Sequence, residues 1–255
     1  MKRGMRAAWM ALLFAVALTA AFCLLPARWV IAWIPDSSPV LITDATGTLW
    51  EASATMAVGI GGLRRSLPDP LLWHLSFKGG PHLVLAHPWL RGPLKVALTW
   101  QGLHMSAQSL QLPAAALTTV HGIFNTLDPG GEVLLTWPDL YLRSGVVASS
   151  NATQLLSVQW RNATSTLTHV RPMGQYTLVL SQAGNGSMAL ALATNKGPWM
   201  MEGSGILPQS GRLRFDGKAW VHESATADIH AAMQGVLDAI GPRSIQSGHT
   251  MMTIR

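Results

Sequence analysis

Cysteine is almost missing from this 255-residue chain: Cys23 stands alone. A single thiol excludes a disulfide framework, a cysteine-based zinc site and a CxxC redox pair. Charge is scarce too. Charged residues make up 12% of the chain, with twelve carboxylates in all, against about 25% in an average soluble domain. Such low charge beside 49% hydrophobic residues excludes a disordered polar chain and leaves few acid–base pairs for an enzyme. Tyrosine and phenylalanine are few, at two and five residues, whereas tryptophan numbers eleven. The net charge of +6 does not signal a nucleic-acid partner. Lys2, Arg3 and Arg6 supply half of the excess, and beyond them Arg64-Arg65 is an isolated basic pair. A nucleic-acid binder gathers its cations on one face.

What the sequence does have is one long apolar run. Residues 7–25, AAWMALLFAVALTAAFCLL, carry no charge. As a helix rising 1.5 Å per residue, nineteen residues cross a hydrocarbon core of about 30 Å. The cations precede the run, which keeps residues 1–6 in the cytoplasm and exports the chain beyond residue 25. Trp9 and Trp29 flank the two membrane interfaces. The rival is a cleaved signal peptide, with Thr19-Ala20-Ala21 as small residues near a cleavage point. The run continues through Phe22-Cys23-Leu24-Leu25, which favours an uncleaved anchor.

Beyond residue 25 the helical period fades. Pro26, Pro35 and Pro39 mark a connector over residues 26–46, and a β-rich body is expected over 47–255. Strand-like segments bounded by Gly, Pro, Asn or Asp recur at 49–58, 71–77, 94–100, 133–137, 155–161, 176–181, 188–194, 199–206 and 212–222. Leu94, Val96, Leu98 and Trp100 alternate onto one face, the period of a strand. Short strands with short turns imply an antiparallel meander. The expected fold is therefore mainly β: a single N-terminal transmembrane helix, then a curved antiparallel sheet forming an open trough or partial barrel. Short helices are expected at 113–124 and 225–240, and MMTIR at the end as an edge strand. Trp73, Trp100, Trp137 and Trp160 stand at strand ends, where they plug the sheet or line a concave apolar surface.

A search for chemistry finds little. None of the nine histidines falls in a recognised metal spacing, and His82 and His87 fall on opposite faces of a strand. Gly211–Lys218 has five residues between its glycines, and Ala219 stands where a phosphate loop needs Ser or Thr. Gly203-Ser204-Gly205 lacks the spacing of a nucleophile elbow. Asn151-Ala152-Thr153 and Asn162-Ala163-Thr164 match the glycosylation sequon. No catalytic, cofactor-binding or metal residue is assigned, and no cofactor is expected.

Several blocks carry a resemblance. Gly47-Thr48-Leu49-Trp50-Glu51-Ala52-Ser53-Ala54 is similar to the GT(L/V)WxGxA opening of the type II secretion system protein N family, with Ala52 where glycine is common. Pro172-Met173-Gly174-Gln175-Tyr176-Thr177-Leu178, the strand 188–194, Gly197-Pro198, Gly203-Ser204-Gly205 and the run from Gly211 to Gly217 come in that family's order. Leu237-Asp238-Ala239-Ile240-Gly241 resembles its terminal helix. Read as residues, Gly47 and Thr48 launch the first strand, Trp50 anchors the core, Gly174 supplies a turn conformation, and Gly203, Gly205 and Gly217 mark bends in a curved sheet. The resemblance implies an accessory subunit of the type II secretion apparatus. It is expected in the bacterial inner membrane, single-pass, with the bulk of the chain periplasmic. Its implied partners are inner-membrane platform proteins and the secretin. A lipid- or hydrophobe-binding module in the same place is the alternative.

Overall fold

The computed structural model describes every residue except 1, 34, 36–37, 39, 60–63, 120–121, 144, 150–152, 210–211, 243–248 and 255. The chain opens with helix α1 (Lys2–Cys23). Its side chains are described at residues 9, 10 and 12–23. Met10, Leu13, Phe14, Val16 and Leu18 are all more than half exposed, so no part of the body covers them. Among the described residues no helix is long and apolar enough to cross a membrane.

The body consists of two antiparallel sheets. In the first, strands β1 (Val40–Gly47), β2 (Glu51–Val58), β4 (Leu71–Ser76), β5 (His82–Ala86), β6 (Leu94–Thr99), β7 (Gly102–Met105), β10 (Leu140–Arg143) and β11 (Val146–Ser149) lie side by side in that order. A two-residue strand, β3 (Arg65–Ser66), also pairs with β2. In the second sheet the order is β17 (Thr250–Ile254), β16 (Arg214–Val221), β15 (Trp199–Leu207), β14 (Met188–Lys196), β13 (Gly174–Gln182), β12 (Gln154–Thr164), β9 (Gly130–Trp137) and β8 (Gln108–Pro113). Neither order returns to its start, so neither described sheet closes into a barrel.

The expected mainly β, antiparallel architecture is present, but as two sheets rather than one. The division has a local cause. β7 leads into β8 across Ser106-Ala107, and β9 leads into β10 across Pro138-Asp139. Proline has no N–H to give the ladder, so pairing is interrupted there. The junction is held by other bonds. Trp137 Nε1 donates to Ser106 O at 3.1 Å, Ala107 N donates to Asp139 Oδ1 at 3.2 Å, and His104 Nε2 lies 3.1 Å from the same oxygen.

The boundaries of the meander also shift. Residues 26–46, expected as a connector, contain a 3-10 turn over Ala27–Trp33 and nearly all of β1. The three prolines there do not interrupt residues 40–47, which pair with β2 along their length. The helix expected at 113–124 is a 3-10 turn over Ala114–Thr119 and helix α2 (Gly122–Leu127). Helix α3 (Ala227–Ile240) and the edge strand β17 fall where they are expected.

The main core lies where α3 crosses the second sheet. Ile229, Met233, Val236, Leu237 and Ile240 recur at helical spacing, and Met233, Val236 and Leu237 are buried. They pack with Tyr176, Trp199, Met201, Ala219 and Val221 from β13, β15 and β16. A smaller core joins Ala27, Ala52, Ala54 and Trp73 on the first sheet. Three of the tryptophans expected as plugs fill that role. Trp73 is buried and Trp137 and Trp160 are half-buried, and the three donate to backbone carbonyls of Leu49, Ser106 and Gly130. Trp100 does not: it is fully exposed in the turn between β6 and β7, because the turn carries the ring past the last paired residue, Thr99.

Replacing Asp139 with Ala leaves the Ala107 N–H without its acceptor. Asp139 is about half exposed, so water recovers part of the loss, and the expected destabilisation is about 1 kcal/mol. Thermal unfolding of the full chain in detergent measures it.

Candidate interaction surface

The residues that carry the sequence resemblance fall at two places. The first is the turn from β1 to β2. Gly47 has φ 98°, a left-handed conformation, and a Cβ there would lie 2.6 Å from Glu51 O. Thr48 N donates to Glu51 O at 2.9 Å and closes the turn. Leu49 and Trp50 stand outside the strand that was expected to begin at Leu49, and they reach back to the helix instead. Leu49 N donates to Leu25 O at 2.8 Å. Trp50 Nε1 donates to Phe22 O at 3.0 Å, and the two rings lie 4.6 Å apart. Trp50 is half-buried and is not a core anchor of the sheet. It is a clasp between the end of α1 and the body.

The second place is the second sheet, under α3 and beside it. Tyr176 is buried, with its ring against Trp160 and Trp199, and its hydroxyl donates to Trp199 O at 3.1 Å. Gly174 is not in a turn conformation. It begins β13, and a Cβ there would lie 2.5 Å from the Tyr176 hydroxyl and 2.8 Å from Lys196 O. Its smallness lets that ring settle. Gly203, Gly205 and Gly217 share one function. Phe215 lies over all three: added Cβ atoms would stand 2.5, 3.0 and 3.0 Å from its ring. Three glycines on two paired strands therefore seat one aromatic ring.

Chemistry is thin across this surface. Among the described residues no three His, Cys, Asp or Glu side chains gather to hold a metal ion. Lys218 pairs with Glu202 at 3.0 Å, both partly exposed. His82 opens β5, whereas His87 is buried beyond its end and lies 3.2 Å from Asp69 O. Residues 214–218, which superficially suggested a phosphate loop, are part of β16. Gly211, Asn151 and Ala152 lie outside the described residues. Asn162 sits in β12 at φ 48°, where the ladder shifts register.

The open features are strand edges. Of the four terminal strands, β8 is covered by residues 89–91: Arg91 N donates to Ser109 O and Gln111 N to Trp89 O. β17 is covered at Met251, whose N–H reaches Pro242 O. β1 and β11 have no described strand on their outer sides, and β1 is covered in part: the turn over Ala27–Trp33 packs against it and Pro26 bridges Thr48 just past its end. Its ladder with β2 shifts between Ile42 and Asp44. An edge with a bulge and a charge resists indiscriminate pairing. Sequence reasoning missed this edge. Its signal was Val40-Leu41-Ile42-Thr43, a β-prone run masked by the prolines before it.

A family model described as "Type II secretion system (T2SS), protein N" matches residues 38–252. The chain belongs to the type II secretion system protein N family. A protein of Klebsiella pneumoniae named Type II secretion system protein N is 26% identical over 213 residues, which cover 79% of this chain and 78% of that protein. No solved structure matches. The family match begins just ahead of β1 and takes in both sheets and α3, so the family signature is a signature of the β body.

Two outcomes test these assignments. Gly203→Ala should destabilise the chain by about 1–3 kcal/mol, because backbone atoms of Gly217 and Asp216 crowd the new methyl together with the Phe215 ring. Adding Phe215→Leu should recover part of that loss in denaturant melts. Burial pushes the Tyr176 phenol well above its usual range. The unfolded chain ionises near pH 10 and then holds fewer protons than the folded one. Stability is whole below that pH and falls above it, by up to about 1.4 kcal/mol per pH unit. Tyr176→Phe should flatten that alkaline fall in pH-dependent melting.

Proposed function

We propose that this protein is an accessory component of the type II secretion apparatus that works by contact rather than by catalysis. Helix α1 holds it in the inner membrane. Residues 1–6 face the cytoplasm, residues 7–25 cross the bilayer, and the chain from residue 26 onward stands in the periplasm. The anchor is supported by the uncharged run of residues 7–25, the cations before it, and the exposure of the described apolar side chains of α1. Such side chains gain roughly 25 cal/mol per Å² when they leave water, and lipid is the medium that offers this on all sides of a helix.

The observation that carries the contact role is the edge of β1, which no described strand pairs, although residues 27–33 pack against it and Pro26 bridges Thr48 at its end. Outward N–H and C=O groups along an edge accept a strand from another chain. The register shift near Thr43 and the Pro26–Thr48 bridge leave Asp44–Thr46 for such pairing, close to the end of α1. A partner strand adding there would come from another inner-membrane platform protein or from the secretin. Gly174, Tyr176, Gly203, Gly205 and Gly217 keep the body folded and make no contact themselves.

A second reading has its own observation. On the second sheet, Leu110, Leu135, Val158, Leu178 and Leu192 stand opposite one another across five strands. All five are half-buried. An apolar row of this kind suits an acyl chain, which makes a lipid-binding module the alternative.

Photo-crosslinking in cells separates the two readings. A photoreactive residue at Thr46 should capture a secretion component, and one at Leu178 should not capture lipid. Crosslinks confined to residues 7–25 would overturn the edge reading. Lipid captured at Leu178, together with stoichiometric lipid in mass spectra of the purified chain, would favour the alternative.

A further inference from the structure

The end of the first sheet from which α1 departs carries a group of uncovered apolar side chains. Leu75 N donates to Trp50 O at 2.7 Å. Phe77, two residues on, therefore extends about 7 Å past the clasp. The register carries that level across the sheet. Ser76 stands opposite His82, His82 opposite Ala97, Ala97 opposite His104, and His104 opposite Tyr141. One residue farther out, Leu98 faces Leu103 and Leu103 faces Leu142. Directly opposed residues share a face, so these leucines form one row at the level of Phe77. Trp100 lies beyond it in the β6–β7 turn.

The exposures are large: 71% for Phe77, 81% for Leu98 and 101% for Trp100. Leu103 and Leu142 are 41% and 42% exposed. Uncovered apolar groups gathered at one place mark a contact site. Charge selects the partner. Arg28, Lys78 and Arg143 are exposed at this end, and the described carboxylate there is Glu51 on the strand beside α1. Residues 77–81 and 98–103 contain no acid. Tryptophan flanked by Lys and Arg suits the boundary between headgroups and acyl chains of an anionic bilayer. The position agrees: β6 lies three strands from β2, about 14 Å at the usual strand spacing.

We propose that the β4–β5 and β6–β7 tips, led by Phe77, Leu98 and Trp100, seat in the headgroup region of the same bilayer that holds α1. The inference rests on the anchor reading. Together the helix and the tips hold the body at two separate points, which fixes its tilt and the height of the β1 edge above the membrane.

The test uses the full chain with Cys23→Ala, reconstituted in vesicles of phosphatidylethanolamine and phosphatidylglycerol. Single variants Trp100→Cys, Phe77→Cys, Val16→Cys and Ser204→Cys carry an environment-sensitive fluorophore, and nitroxide-labelled lipids serve as quenchers. The expected result is blue-shifted emission at 77 and 100, quenched by nitroxides near the headgroup. Position 16 should be quenched by deep nitroxides, and position 204 by neither. Quenching at 16 without quenching at 77 or 100 overturns the tip proposal and leaves the anchor standing. No quenching at 16 overturns the anchor itself. A blue shift at 100 that lipid nitroxides do not quench identifies a protein partner and also overturns the proposal.

Discussion

A hydrogen bond from an indole to the last turn of a helix sets the orientation of this molecule. Trp50 Nε1 donates to Phe22 O, its ring lies on Phe22, and the neighbouring Leu49 N–H reaches Leu25 O. The last carbonyls of a helix lack their usual partners within the helix, and here the β1–β2 turn donates to Phe22 O in the last turn and to Leu25 O just beyond it. A flexible connector would leave the body free to rotate about its tether. The clasp instead makes the strand ends of the first sheet follow α1, which gives the β1 edge and the exposed tips a defined relation to the helix end.

The body behind the clasp depends on smallness more than on chemistry. Phe215 fits because three positions around it lack a side chain, and Tyr176 fits because Gly174 does. A ring replaces the covering that those glycines cannot give. At the junction of the sheets the logic is reversed: Pro138 interrupts the ladder, and polar groups from Trp137 and Asp139 replace the missing bonds. Neither arrangement needs reactive groups. This accords with membership of a family defined by a secretion machine.

Much of the architecture is legible in the residues alone. Alternation in Leu94–Thr99 and Arg214–Val221 identifies both as strands, and in Arg214–Val221 it follows one covered and one open face, whereas Leu98 stays uncovered in the first. The α3 pattern is clear because Met233, Val236 and Leu237 recur on one side. The short strands β7, β10 and β11 are not visible, since four residues give too little periodicity to read. β1 is hidden behind three prolines that end just before it. The motif residues stand out, but their roles do not. Gly174 suggests a turn, yet it begins β13, and the ring of Tyr176, two residues on along the same strand face, lies over it. Trp100 reads as a plug because its sequence neighbours resemble those of Trp137. Only the position of the turn past Thr99 separates the two.

The helix end and the β body move as one. Spin labels on the native Cys23 and on Gln101→Cys, in the full chain held in lipid nanodiscs, measure it by pulsed electron resonance. The distance distribution is expected to be narrow and to broaden when Trp50 is replaced by alanine. A distribution equally broad with and without Trp50 would contradict it.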